Sequence, residues 1–317
     1  MSNVTSRDGT AIAFDRSGEG APIVLVAGAF VDRSQLNELA GLLAPSFTVL
    51  NYDRRGRGES GDTPPYEVQR EIEDLEALIV EAGGAASVFG GSSGAALALE
   101  VAAAGLEIEK LVVYEPPYVV DDSRPPVGPD IADRLSALIA DGRRGDAAEL
   151  FMTEGGLVPG EVVAEMRRSP IWAATEAMAH TLPYDAAVMG RGNKPSTERL
   201  ADISAPTLVI DGGASPAWIR SSAETVAEAL PNARRATLPD QMHNVSQEVL
   251  APVVSGFIAD QGFESDHSTY TNSKGHHADQ VVRQPSRQRS RSLPGLLCRA
   301  RPRVLQNGGG NGLDHHQ

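Results

Sequence analysis

The chain has 317 residues, 41% of them hydrophobic and 5% aromatic, with a formal net charge of −14 at pH 7. That length can bury a sizeable core, either as one large α/β domain with an insertion or as two domains. The acidic balance argues against a nucleic-acid partner, which rewards clustered Lys and Arg, and against an anionic membrane surface. A single cysteine, Cys298, leaves no internal disulfide framework. The first residues lack the basic-then-apolar pattern of a secretory signal, and no apolar run approaches the roughly 20 residues needed to span a bilayer. The expectation is a cytoplasmic protein that handles a small molecule.

Taken in chain order, the pattern predicts strands over residues 11–15 and 22–27, a helix over 33–43, a strand over 47–52 and a helix over 66–81. A strand over 85–89, a helix over 93–104 and a strand over 110–114 follow. After a long interval come a strand over 206–210, a helix over 218–230, a strand over 234–238 and a closing helix over 246–260. Several strands are continuous Val/Leu/Ile runs, as expected of strands buried on both faces of a mostly parallel sheet. The alternation predicts an α/β fold with a doubly wound sheet. It is broken once, at residues 116–204, where helical and loop-like segments punctuated by proline and glycine predict a helical cap inserted after a central strand. Residues 1–263 form the expected domain.

From Glu264 onward the composition changes. Eight basic residues against four acidic ones give this segment a net charge of +4, leaving −18 on the residues before it. It also holds five of the seven histidines and runs such as Q-P-S-R-Q-R-S-R-S and N-G-G-G-N-G. Such polar sequence cannot offset the entropy of ordering itself, so residues 264–317 are expected to form a disordered basic tail.

Between the strand at 85–89 and the helix at 93–104 the chain reads Gly90-Gly91-Ser92-Ser93-Gly94, a G-x-S-x-G pattern. A nucleophile at the tip of so tight a turn adopts strained backbone angles, and its neighbours two residues away must be nearly free of side chain. Gly90 and Gly94 meet that demand, and Ser92 becomes the candidate nucleophile. The helix that follows aims its N-terminal amides at the same place, so the Ser93 N–H can stabilise an oxyanion.

Over roughly residues 8–260 the chain resembles the capped, single-domain esterase and hydrolase type of α/β-hydrolase fold proteins. Four landmarks carry the resemblance: I-V-L-V-A-G-A-F, Y-D-R-R-G-R-G-E-S-G, the glycine-flanked serine, and L-P-D-Q-M-H-N-V. The family places its second oxyanion donor just after the glycine that ends the first of these, which implies Ala29. The Tyr52–Gly58 stretch is expected to be loop architecture, with Asp53 holding its arginines. Of the two histidines before the tail, His243 follows the last strand, where the fold presents its general base, and the order of serine before histidine agrees. The other, His180, is expected to pack or to line the pocket.

The acid is less direct. Many relatives carry Asp in a G-x-x-D-P turn after the seventh strand, but here Ser215 fills that slot in D-G-G-A-S-P. Two carboxylates remain: Glu115, at the end of a strand in L-V-V-Y-E-P-P, and Asp211 one strand away. Glu115 is preferred, because that strand end serves the same purpose in relatives such as haloalkane dehalogenases. The expected chemistry is hydrolysis of an ester-like or acyl bond through an acyl-enzyme, with no metal or organic cofactor implied. A binding protein on a hydrolase scaffold, a cofactor-free perhydrolase and a carbon–carbon hydrolase are the alternatives. Phe151, Met152, Met166, Ile171, Trp172, Met178 and Met189 are expected to supply an apolar lining from the cap.

Overall fold

The first two strands, β1 (Ser2–Thr5) and β2 (Ala11–Ser17), form an antiparallel pair at one edge of an eight-stranded sheet. In the computed structural model, which describes residues 1–260, the sheet continues through β3 (Ala21–Val26), β4 (Phe47–Tyr52), β5 (Ala86–Gly91), β6 (Ile108–Tyr114), β7 (Thr207–Gly212) and β8 (Ala233–Leu238). Their spatial order is β1-β2-β4-β3-β5-β6-β7-β8, with β4 onward all parallel. The expected tail lies outside the described residues.

Alternation along the strands divides the core in two, because successive side chains leave opposite faces of a sheet. Val24, Val26, Val88, Leu111 and Val113 face one side. There they meet α2 (Val68–Glu81) and α3 (Ser93–Ala103) through Leu75, Leu78, Ala95 and Leu99. Ile23, Leu25, Phe89, Val112 and Ile210 face the other. They pack on Leu39, Leu43 and Val254, which come from α1 (Asn37–Leu43) and α11 (Gln247–Ala259). Both faces are covered, which is why these strands carry no polar alternation.

Between β6 and β7 the chain forms α4 (Ile131–Ala140), α5 (Arg144–Leu150), α6 (Gly160–Met166), α7 (Trp172–Met178), α8 (Leu182–Val188) and α9 (Thr197–Ala201). A π-helical turn over Phe151–Gly155 follows α5 directly. Leu135, Ala148, Leu182 and Ala186 of this insertion join the same apolar cluster as α3. After β7, α10 (Ala217–Ala229) returns the chain to β8. No helix among the described residues is long and apolar enough to cross a membrane.

The Tyr52–Gly58 loop is stitched by buried ion pairs, but not in the expected way. Asp53 binds Arg33 instead, accepting from both its guanidinium and its backbone N–H, and also accepts from the Glu59 N–H. The loop's own arginines turn elsewhere. Arg54 forks onto Glu71 at 2.7 Å from each nitrogen and reaches Asp185 of α8, Arg57 also grips Asp185, and Arg55 binds Asp74 and Asp8. Each buried guanidinium has more donors than Asp53 could satisfy, and carboxylates on α2 and α8 lie within reach.

One of these carboxylates gives the fold a readable acid limb. Burial works to raise the Asp8 pKa, but hydrogen bonds from Thr10 and the Arg55 guanidinium outweigh it and hold the group down at about 2. A carboxyl whose pKa is lower in the folded chain stabilises fully above the unfolded value and loses that contribution as pH falls through the folded one. The stabilisation should therefore disappear as pH drops from about 4 to about 2. Asp8→Asn is expected to melt a few degrees lower at neutral pH and to show a flatter fall in melting temperature across that acid window. Parallel curves for the two proteins would refute the assignment.

Candidate active site

β3 and β5 are neighbours, yet the chain leaves β3 toward β4 on one side and reaches β5 on the other. Such a reversal opens a crevice at the carboxyl ends of the strands. Two turns meet there: the one after β3, with Gly28 and Ala29, and the one between β5 and α3, with Ser92 at its tip.

Ser92 has φ 56° and ψ −124°, a conformation that a non-glycine residue adopts only when its surroundings impose it. The surroundings are tight. A Cβ on Gly94 would run into the carbonyl oxygens of Val26 and Ala27, and one on Gly90 into the Gly94 backbone. A Cβ on Gly28 would sit 3.2 Å from the Ser92 Cβ. Gly91, by contrast, has open space where a side chain would project. The Ser92 N–H donates to the Tyr114 carbonyl at 2.9 Å, so the turn is tied to the end of β6. The Ser93 amide, at the first position of α3, is a helix-terminal donor with no intrahelical acceptor.

His243 lies in the β8–α11 loop, and its Nε2 stands 3.1 Å from Ser92 Oγ. Its Nδ1 stands 2.7 Å from Glu115 Oε2. A carboxylate acceptor places the ring proton on Nδ1 and leaves Nε2 free to accept from the Ser92 hydroxyl. Glu115 is 0% exposed, and its second oxygen accepts from the Gly212 N–H at 2.8 Å. Its backbone has φ 47°, which turns the chain from β6 into the insertion while its own N–H still donates to Ile210. The loop bearing His243 is itself pinned, because Tyr114 Oη donates to the Met242 carbonyl at 2.6 Å. The histidine side chain remains 46% exposed.

Asp211 is turned away from this relay. It accepts from Arg235 Nε at 2.8 Å and from Thr237 Oγ1 at 3.2 Å, a site on the β8 side of β7. Ser215 is buried, and its hydroxyl has no hydrogen-bond partner among the described residues. His180 does not line the cavity; it lies within hydrogen-bond distance of the carbonyls of Gly56 and Ala177 and ties the insertion to the Tyr52–Gly58 loop.

Ala29, Ser92, Ser93 and His243 open onto a cavity of about 570 Å³. Of the seven side chains expected to line it, Phe151, Met152, Met166 and Met189 do. The other three do not: Ile171 projects into solvent, Trp172 packs beneath Arg167, and Met178 lies elsewhere on the insertion. Phe30 and Trp218 were not anticipated. Phe30 follows the turn after β3 and meets Phe151 edge-on at 5.5 Å, joining the sheet's edge to the π-helical turn. Trp218 opens α10 and is covered on its far side by the buried Arg124 guanidinium, 4.5 Å from the ring centre.

The sequence model of the alpha/beta hydrolase family matches residues 23–254. The chain is similar in structure to an alpha/beta hydrolase from Sphaerobacter thermophilus, 61% identical, with a TM-score of 0.76 over 81% of this chain and 100% of that one. A thermophilic esterase from Thermogutta terrifontis shares the fold at 22% identity, with a TM-score of 0.63 over 81% of this chain and 97% of its own. Over 113 residues the sequence is 32% identical to an uncharacterized hydrolase, YraK, of Bacillus subtilis; this stretch is 34% of the present chain and 42% of that relative, less than half its length. With the family's sequence model spanning most of the described residues and a 61% identical relative sharing the architecture, the chain belongs to the alpha/beta hydrolase family.

Proposed function

We propose that the protein is a serine hydrolase that cleaves uncharged, apolar esters of small or medium size through an acyl-enzyme. The observation that carries this reading is the continuous relay from Ser92 Oγ through His243 to the buried Glu115 carboxylate, at the floor of an apolar cavity. The family's hydrolase and esterase members agree with it.

In the proposed sequence, Ser92 Oγ attacks the ester carbonyl carbon while His243 Nε2 takes the hydroxyl proton. The carbonyl oxygen becomes an oxyanion, which the N–H groups of Ala29 and Ser93 receive, aided by the positive end of α3. When the intermediate collapses, the bond to the leaving oxygen breaks and His243 returns its proton to that oxygen. A water then attacks the acyl-serine, giving its proton to His243, and the acid departs with Ser92 restored. Glu115 holds the imidazole in the required tautomer and stabilises its cationic form. No step calls for a metal or an organic cofactor. A retained binding scaffold would have no need of this complete relay, which is why catalysis is preferred. The helices between β6 and β7 act here as a cap, supplying Phe151, Met152, Met166 and Met189 to the acyl site.

Among the described residues, the cavity lining includes no Lys, Arg, Asp or Glu. A substrate carboxylate entering it would lose its water without meeting an opposite charge, a cost of a few kcal/mol, or about 10²-fold in rate. Two esters with four-carbon acyl groups test this. p-Nitrophenyl butyrate is expected to exceed p-nitrophenyl hemisuccinate by about 10²-fold in kcat/KM. Equal turnover of the pair would reject an uncharged substrate, and no turnover of any neutral ester in a chain-length panel would reject the esterase reading. Perhydrolysis and carbon–carbon hydrolysis would use the same three side chains, and assays for both belong in that panel.

A further inference from the structure

We infer that Asp185 and Arg57, an ion pair between the helical insertion and the Tyr52–Gly58 loop, are positioning residues that set both amides of the oxyanion site. The inference rests on the function proposed above and goes beyond it, in that it makes the insertion part of the catalytic geometry as well as a wall of the pocket.

The argument starts from one peptide bond. The carbonyl of Gly28 and the N–H of Ala29 belong to the same planar unit and point in opposite directions. Arg57 Nη1 donates to that carbonyl and, more weakly at 3.4 Å, to the carbonyl of Val31. Whatever fixes the direction of the Gly28 oxygen therefore fixes the direction of the Ala29 N–H. A cation on the oxygen also draws electron density toward it and makes the N–H a better donor.

Arg57 is in turn held by one carboxylate. Its Nη2 donates to both oxygens of Asp185, at 2.9 and 2.8 Å. The same Oδ1 accepts from Arg54 at 2.7 Å and from the Ser93 hydroxyl at 2.8 Å. Ser93 carries the second proposed donor, so one carboxylate is tied to both halves of the site. It grips the first through Arg57 and the Gly28 carbonyl, and the second through the side chain of the residue whose N–H is used. The cluster is interior: Arg54, Arg57, Ser93 and Asp185 are buried, and Asp185 is 0% exposed. With Glu71 on Arg54, the two guanidiniums face two carboxylates, and the cluster is balanced in charge.

Asp185 sits on α8 and Ser93 on α3, 92 residues apart. The oxyanion site is completed only where the insertion has packed against the sheet's edge.

The test compares wild type with Asp185→Asn, Arg57→Lys and Ser93→Ala, and with Arg55→Lys as a control. Arg55 is equally buried in the same loop and equally forked on a carboxylate, yet its partners, Asp74, Asp8 and the Arg70 carbonyl, reach no part of the site. The readouts are kcat and KM on p-nitrophenyl butyrate, melting temperature, and the inhibition constant of an alkyl trifluoromethyl ketone, whose adduct on Ser92 carries an oxyanion. Asp185→Asn and Arg57→Lys are expected to lower kcat by about 10–100-fold with KM nearly unchanged, and to weaken the ketone in step. Arg55→Lys is expected to lower the melting temperature while leaving kcat and the ketone within about twofold of wild type. If Asp185→Asn and Arg57→Lys do not fold, Ser93→Ala decides, since it removes one hydroxyl and leaves no ion unpaired. A loss of about threefold or more in kcat, matched by the ketone, supports the inference. A folded Arg57→Lys or Ser93→Ala with wild-type kcat overturns it, and so does a control that loses as much kcat as Arg57→Lys. Those results, with an active wild type, overturn this inference alone. A wild type that neither turns over the ester nor takes a fluorophosphonate on Ser92 overturns the proposed function and this inference with it.

Discussion

Ser92→Ala is expected to fold as the wild type does and to lose ester turnover by about 10⁴-fold or more in kcat. The change removes the hydroxyl that stands 3.1 Å from His243 Nε2 and adds no atom to a turn crowded at Gly90 and Gly94. The backbone at this position, with φ 56°, is imposed by its neighbours, so alanine inherits the same strain. The melting temperature should then stay within a few degrees of wild type while the rate collapses. The residual rate would come from the oxyanion site and the cavity acting on water. Initial rates on p-nitrophenyl butyrate, with fluorophosphonate labelling alongside, provide the measurement. A variant that retains more than about a tenth of wild-type kcat would mean that another group attacks the ester.

Glu115→Gln is the second large effect, with kcat expected to fall by about 10³–10⁴-fold. Glutamine has nearly the same shape as glutamate, so the loss follows from hydrogen-bond logic. The Gly212 N–H, 2.8 Å from Oε1, demands an oxygen at that corner of the side chain. The amide NH₂ of the glutamine must then face His243 Nδ1, which becomes an acceptor. The ring proton moves to Nε2, which then faces the Ser92 hydroxyl as a donor and can no longer accept its proton. Asp211→Asn is the informative partner. Asp211 is spent on Arg235 and Thr237, so its substitution should cost stability and change kcat by less than about fivefold. The ester assay separates the two carboxylates directly: a larger loss from Asp211→Asn than from Glu115→Gln would reverse the assignment.

Much of this architecture is legible in the sequence because it is written in short-range patterns. The strand at 22–27 is a continuous apolar run and that at 47–52 a mostly apolar one, both with their faces covered, and they stand within a residue of where the pattern puts them. The glycines around Ser92 are forced by backbone collisions that any chain making this turn would meet. What escapes the pattern is set by distant partners. β1 is a mostly exposed edge strand with no apolar run, and only its pairing with β2 defines it. The helix expected over 33–43 begins as a 3₁₀ turn over Arg33–Leu36, where Asp32 accepts from the Ser34 N–H. The destination of Arg54 and Arg57 could not be found from their own loop, because Asp185 sits more than a hundred residues away in a segment with no motif. The division of the insertion's apolar residues into lining and packing is equally a matter of which way short helices roll. Composition names the seven candidates and does not orient them.

The placement of Asp185 bears on how the enzyme could be rebuilt. Exchanging this insertion between relatives is an attractive way to move substrate preference, since the side chains proposed for catalysis all lie outside residues 116–204. A chimera made here at those seams would transplant more than a specificity wall. It would strip two interior guanidiniums of their shared anion, leaving Arg57 with carbonyl partners alone, and untether the serine that opens α3. A donor cap has to return a carboxylate to the place of Asp185, or the recipient has to give up Arg57 together with its old cap.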